Sequence, residues 1–154
     1  MSGSIQAEKP ATALRAVLGV IGGAIVWMFG FFILAQVLVM LWPAYALPAR
    51  AWTQNADYTF SSLMSVLNAC LWIIAEIAAG ALAATIARSQ RAVWVLAALV
   101  MAYLCFMHFY LVWSKIPWWY NLIVALSSGP AVLLGGRWAA VGRRAAAPGM
   151  AVAS

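Results

Sequence analysis

Apolar positions run almost unbroken through four stretches of the chain, separated by short polar or basic interruptions. Ala16 to Leu41 holds no charge, Ser61 to Ala87 is broken only by Glu76, Ala92 to Trp113 contains His108, and Pro117 to Gly136 is uncharged with Pro130 inside it. Each stretch meets the roughly 20 residues that an α-helix needs to cross about 30 Å of hydrocarbon. A backbone in lipid has no water for its amide groups, so helices are predicted rather than strands. The pattern predicts an all-α, polytopic membrane protein. Four transmembrane helices, at about 16–41, 61–87, 92–113 and 117–136, form a compact bundle over 16–136. Residues 1–15 and 137–154 are read as an N-terminal tail and a basic C-terminal tail, both too small to fold alone.

The interruptions set the connections. Arg88-Ser89-Gln90-Arg91 predicts a tight turn, making helices two and three an antiparallel hairpin. Ser114-Lys115-Ile116-Pro117 is equally short, and Pro117 suits the first turn of helix four. Pro130 is expected to kink that helix. The stretch from Trp42 to Phe60 is read as the one sizeable loop, lying along the interface, with Asp57 or Thr59 capping helix two.

Basic residues fix the expected threading. Lys9, Arg15, Arg88, Arg91, Arg137, Arg143 and Arg144 fall on one side, and only Arg50 and Lys115 on the other, so both ends are expected in the cytoplasm. Ala44-Tyr45-Ala46 resembles a signal cleavage site, but the apolar run before it is too long for a signal peptide core, and the helix is read as retained.

Composition agrees with this picture. Of 154 residues, 67% are apolar and 8% charged, which excludes a water-soluble globule and a disordered chain. The net charge of +6 sits at the ends of the apolar runs. It is therefore read as contact with anionic lipid at the cytoplasmic face, not with nucleic acid. Cys70 and Cys105 lie inside apolar runs with no metal or redox spacing, and are expected to be small packing residues. Aromatic residues, among them Trp42, Tyr45, Trp52, Tyr58, Tyr110 and Trp113, gather near the outer boundary with Trp118, Trp119 and Tyr120 behind them. The plain reading is an interfacial belt, and the functional one an aromatic-lined mouth for a hydrophobic or cationic ligand.

At 100° per residue each helix carries a stripe of small residues, over which helices in lipid approach closely. The stripes are Gly19, Gly23, Val26 and Gly30; Ser65, Ala69, Glu76, Gly80, Ala83 and Ala87; Ala98, Ala102 and Cys105; and Asn121, Ala125, Ser128, Val132 and Gly135. They serve a bundle or a homodimer face equally well.

Glu76 lies about 16 Å from the inner end of its helix, near mid-membrane, where a carboxyl group costs about 2.5–3.5 kcal/mol on insertion scales. Its expected partners are Ser127, Ser128, the carbonyl of Leu126 freed by Pro130, or a second Glu76 across a dimer. It is either a protonated hydrogen-bonding staple or a proton or cation site, with Ser127 and Ser128 completing it. Farther out, Gln36, Asn68, His108 and Asn121 share a depth and form a candidate polar layer, either a staple between helices or the lining of a watery vestibule. No catalytic or metal site and no cofactor is expected: one histidine cannot supply a bis-His haem or a metal ligand set, and soluble-enzyme motifs are missing.

Two likenesses add to this. AAGALAATIAR at Ala78 to Arg88, with IPWWY and GPAVLLGGRWA between Ile116 and Ala139, resembles small four-helix bacterial inner-membrane proteins, which implies that location and no activity. LWIIAEIAAG around Glu76, with Tyr103, Phe106 and Ile116-Pro117, is similar to small multidrug resistance exporters, and this likeness implies a shared drug- and proton-binding carboxylate at Glu76. The chain departs from that family in its preceding helix, in lacking a counterpart of the family's fourth, and in having Trp118-Trp119-Tyr120 after the turn. The resulting expectation is a non-enzymatic inner-membrane protein that acts through helix contacts with itself or with other membrane proteins. The alternative is a proton-coupled, oligomeric exporter of hydrophobic cations centred on Glu76.

Overall fold

The structure, a computed structural model, describes residues 10–53, 60–114 and 116–146. Lys9, Asp57, Tyr58, Thr59 and Lys115, and the side chains of Trp52 and Arg144, lie outside it, as do the expectations placed on them. The regular elements among the described residues are helices, with no strand: α1 (Pro10–Leu41), α2 (Pro43–Thr53), α3 (Ser62–Ala87), α4 (Gln90–Phe106) and α5 (Trp118–Ala146). Four of these elements carry segments long and apolar enough to cross a membrane: Thr12–Leu41, Ser62–Ala87, Gln90–Leu111 and Trp118–Arg143.

Four local features differ from the sequence reading. The expected loop after Trp42 is largely α2, started by Pro43, whose missing N–H costs nothing at a first helical position. Alanines propagate it, and Arg50 sits in its last turn against the negative end of the dipole. The cap of α3 is Ser61, whose Oγ accepts from the Met64 N–H at 3.3 Å. The expected C-terminal tail is helical through Ala146, because α5 continues past Gly136 and Arg137 through an alanine-rich stretch that favours helix even without apolar burial. Finally, α4 passes into a π-turn at Met107–Leu111, closed by the Val112 N–H on the Met107 carbonyl at 3.1 Å.

Between α3 and α4 only Arg88 and Ser89 remain. Arg88 adopts the left-handed region (φ 50°), and its N–H returns to the Ala84 carbonyl at 3.1 Å. This reversal lays α3 beside α4 within two residues.

The central helix is α3, which packs most extensively on α1 and α5, while α4 packs on α5 and more lightly on α1 and α3. Gly19 faces Ala83 and Ala87, and Gly30 faces Ala75, so α1 and α3 run antiparallel. Val93 meets Gly136 and His108 meets Asn121, so α4 and α5 do too. This packing gathers Arg15, Arg88, Arg91, Arg137 and Arg143 at one end of the bundle, with Arg50 at the other.

Three of the four small-residue stripes face inward. On α3, Ser65, Ala69, Glu76, Gly80, Ala83 and Ala87 are buried, and on α5 so are Asn121, Ala125, Ser128, Val132 and Gly135. On α1, Gly19 and Gly23 are buried, with Val26 and Gly30 partly so. At Gly80 an added Cβ would fall on the Val132 carbonyl oxygen, and at Gly135 on that of Ile77, so the α3 and α5 backbones touch. The α4 stripe is corrected: Ala98 and Ala102 are exposed and Cys105 half-buried, while Val93, Leu96, Ala97, Val100 and Leu104 form the buried face. The reason is complementarity. The small residues that make room stand on the neighbours, with Gly23 against Leu96 and Gly136 against Val93, so α4 supplies the bulk. Cys70 is corrected likewise, since it is exposed rather than packed.

Candidate functional site

Glu76 is fully buried, and neither of its carboxyl oxygens has a hydrogen-bond partner. The expected bond to Ser127 or Ser128 is not formed. Ser127 Oγ is itself buried without a partner, and Ser128 Oγ donates to the Ala125 carbonyl of its own helix at 2.9 Å. A buried polar group with no partner is costly and uncommon. Glu76 on α3 and Ser127 on α5 contribute three such oxygens to the bundle.

His108 and Asn121 of the predicted polar layer are brought together. His108 sits in the π-turn, where an i→i+5 bond takes in more than four residues per turn and holds His108 and Val112 on the buried face below Leu104. Asn121 Oδ1 lies 2.8 Å from His108 Nδ1. Its Nδ2 faces the carbonyls of Ile116 at 3.3 Å and of Trp113 and Pro117 at 3.5 Å. Those three acceptors fix the amide orientation, so Oδ1 must accept from His108 and the imidazole proton resides on Nδ1. In the neutral ring Nε2 is then left with a lone pair and nothing to accept.

His108 also lines a cavity of about 250 Å³ at the end of the bundle covered by α2. Phe31 and Phe32 come to it from α1, Tyr45 from α2, Trp72 from α3, Tyr103 from α4 and Tyr120 from α5. The rings are ordered against one another. Phe31 stacks on Trp72 at 3.7 Å, Trp27 stands edge-on to Tyr103 at 5.4 Å, and Tyr120 tilts towards His108 at 5.8 Å. Gln36 and Asn68 of the expected layer line the same cavity, whereas Asn121 stands behind His108. Ser65 joins them, and the side-chain oxygens of Ser65 and Asn68 are buried with no partner.

Tyr45 is 2% exposed, and burial pushes its phenol up to about 12. It therefore stays protonated as it closes the cavity from α2. Sequence reasoning grouped Tyr45 with the belt and Ser65 with a packing stripe, and named Tyr103 only through the likeness to multidrug exporters. The signal available for Tyr45 was its place in an alanine-rich, proline-started segment that reads as a helix.

No protein-family model matches the chain, and no curated protein and no solved structure matches it at a significant level. The site has to be read from its own geometry.

Proposed function

We propose that the chain is a multi-pass protein of the bacterial inner membrane, with both ends in the cytoplasm. It is non-enzymatic and acts through helix contacts with a second copy or another membrane protein, with anionic lipid at its basic end. The gathering of five arginines at one end of the bundle supports the threading, since basic residues are retained on the cytoplasmic side. The observation that carries the contact role is the outward face of α4. Ala98 and Ala102 remain exposed with Cys105 beside them, whereas the small-residue stripes of the other three long helices are turned inward. In hydrocarbon, close approach over small residues is what holds helices together.

The test is oxidative cross-linking in native membranes with single-cysteine variants. Cys105 alone should give a disulfide-linked dimer, Cys70 alone should not, and Ala98→Leu with Ala102→Leu should abolish the Cys105 product. Absence of any Cys105 product, with a uniform monomer in mild detergent, overturns a homo-oligomer through this face. A reporter fused after Ser154 and found outside the cell overturns the threading.

The exporter reading rests on a different observation, the unpartnered Glu76 carboxyl one helical turn from Trp72 in the wall of the aromatic cavity. Its test is proton-driven uptake of an aromatic cation by reconstituted protein. Transport lost in Glu76→Gln supports it, and equal, null uptake by both proteins removes it.

A further inference from the structure

We propose that the aromatic cavity under α2 is a binding site for a compact, uncharged ring that donates a hydrogen bond, of the phenol or hydroquinone class. Three features of the cavity converge on this class. Its walls are aromatic faces from four of the long helices, which suit a flat ring by stacked and edge-on contact. The volume of about 250 Å³ accommodates one or two fused rings but not a lipid headgroup with its chains. Among the polar groups that line it, His108 Nε2 is an acceptor by the tautomer that Asn121 imposes, and Asn68 Oδ1 is a buried acceptor without a partner. Ser65 Oγ, also unpartnered, can serve either way.

A ligand that only accepts hydrogen bonds would leave those lone pairs buried and unmatched, which is the costly outcome. A phenolic O–H satisfies one of them directly. A cationic amine would also donate, but no acidic side chain lines the cavity, and a charge there would lie in apolar surroundings without a counter-ion. The ring is therefore expected to be neutral. The site does not depend on how copies of the chain associate, because its walls come from one chain.

The experiment measures quenching of tryptophan fluorescence in mild detergent by a matched pair, 4-bromophenol and 4-bromoanisole, which differ only in the O–H. Bromine quenches at contact, and Trp72 lies in the wall. The full chain should show saturable quenching by the phenol with an apparent affinity about tenfold above that of the ether, the size expected for one buried hydrogen bond. The more apolar ether partitions better into micelles, so non-specific uptake would give the opposite order. In His108→Leu the preference should vanish while weak binding of both persists. In Ala49→Trp, which fills the cavity from α2, saturable quenching by both should be lost. Trp72→Phe should remove the saturable component and leave the linear one. Equal affinity for the pair in the wild type overturns the proposal, as does tighter binding of 4-bromobenzylammonium or saturable quenching that survives Ala49→Trp.

Discussion

His108 in the π-turn and Asn121 in the first turn of α5 share a hydrogen bond of 2.8 Å, and through Asn121 that bond also secures the connection between their helices. One amide thus serves four groups: an imidazole N–H and the carbonyls of Trp113, Ile116 and Pro117. Asn121→Leu should therefore lower stability by about 1–3 kcal/mol, the cost of leaving buried polar groups unmatched. The double variant with His108→Leu should cost less than the sum of the two singles, because each removes the same bond. Unfolding in mixed micelles, followed by circular dichroism, measures both.

Two glycines of the bundle make a matched pair. Gly80→Ala places a methyl group on the Val132 carbonyl and should destabilise by about 1–3 kcal/mol as α3 and α5 are forced apart. Gly142→Ala meets nothing within 4 Å and should stabilise α5 by up to about 1 kcal/mol through helix propensity. Thermal melting of both variants in one detergent tests the contrast, and equal effects would mean the helices do not touch at Gly80.

Arg88 pays the steric cost of a left-handed backbone at φ 50° that glycine would not. Arg88→Gly should raise stability by about 0.5–1 kcal/mol, and Arg88→Val should lower it by more. The same melting measurement decides, provided a reporter confirms that loss of one positive charge leaves the threading intact.

Tyr45 links stability to alkaline pH. Its phenol is held at about 12 in the fold, above the usual 10, so the folded state binds this proton more tightly than the unfolded chain. Its contribution is fully present below pH 10 and is lost as pH rises from 10 towards 12. Tyr45→Phe should show a flatter stability profile across that window and no difference in slope below it. Parallel slopes for wild type and variant between pH 10 and 12 would contradict the assignment.

Much of the helical plan was legible because four apolar runs, each long enough to cross a membrane as a helix, can be counted. The inward faces of α1, α3 and α5 were legible for a related reason, since glycine and alanine recur there at helical spacing. The same rule failed on α4, where Ala98 and Ala102 repeat equally well but point outward. Small residues mark where two helices can touch, and they do not say which of the two carries the bulk.

The other misses have different causes. In α2, tyrosine, arginine and two prolines mask an element that helix propensity and burial of Tyr45 and Pro48 stabilise together. The π-turn leaves no signature in composition, because it answers a register demand at His108 that exists only once α5 is in place. Glu76 and His108 stood out as rare polar residues in apolar runs. That Glu76 would be left without the serine partners expected for it was not legible, because hydroxyl groups on a helix can turn back to their own backbone, as Ser128 does.

The contact of α3 with α5 at Gly80 and Gly135 has a mechanical consequence. With main chain against main chain there is no cushion of side-chain rotamers to absorb displacement, so any change in the tilt of α5 must swing about that point as a lever swings on its fulcrum. Arg137 lies on one arm, two residues past Gly135, and Tyr120 on the other. A displacement of α5 at its basic end would be carried, reversed in direction, to its aromatic end.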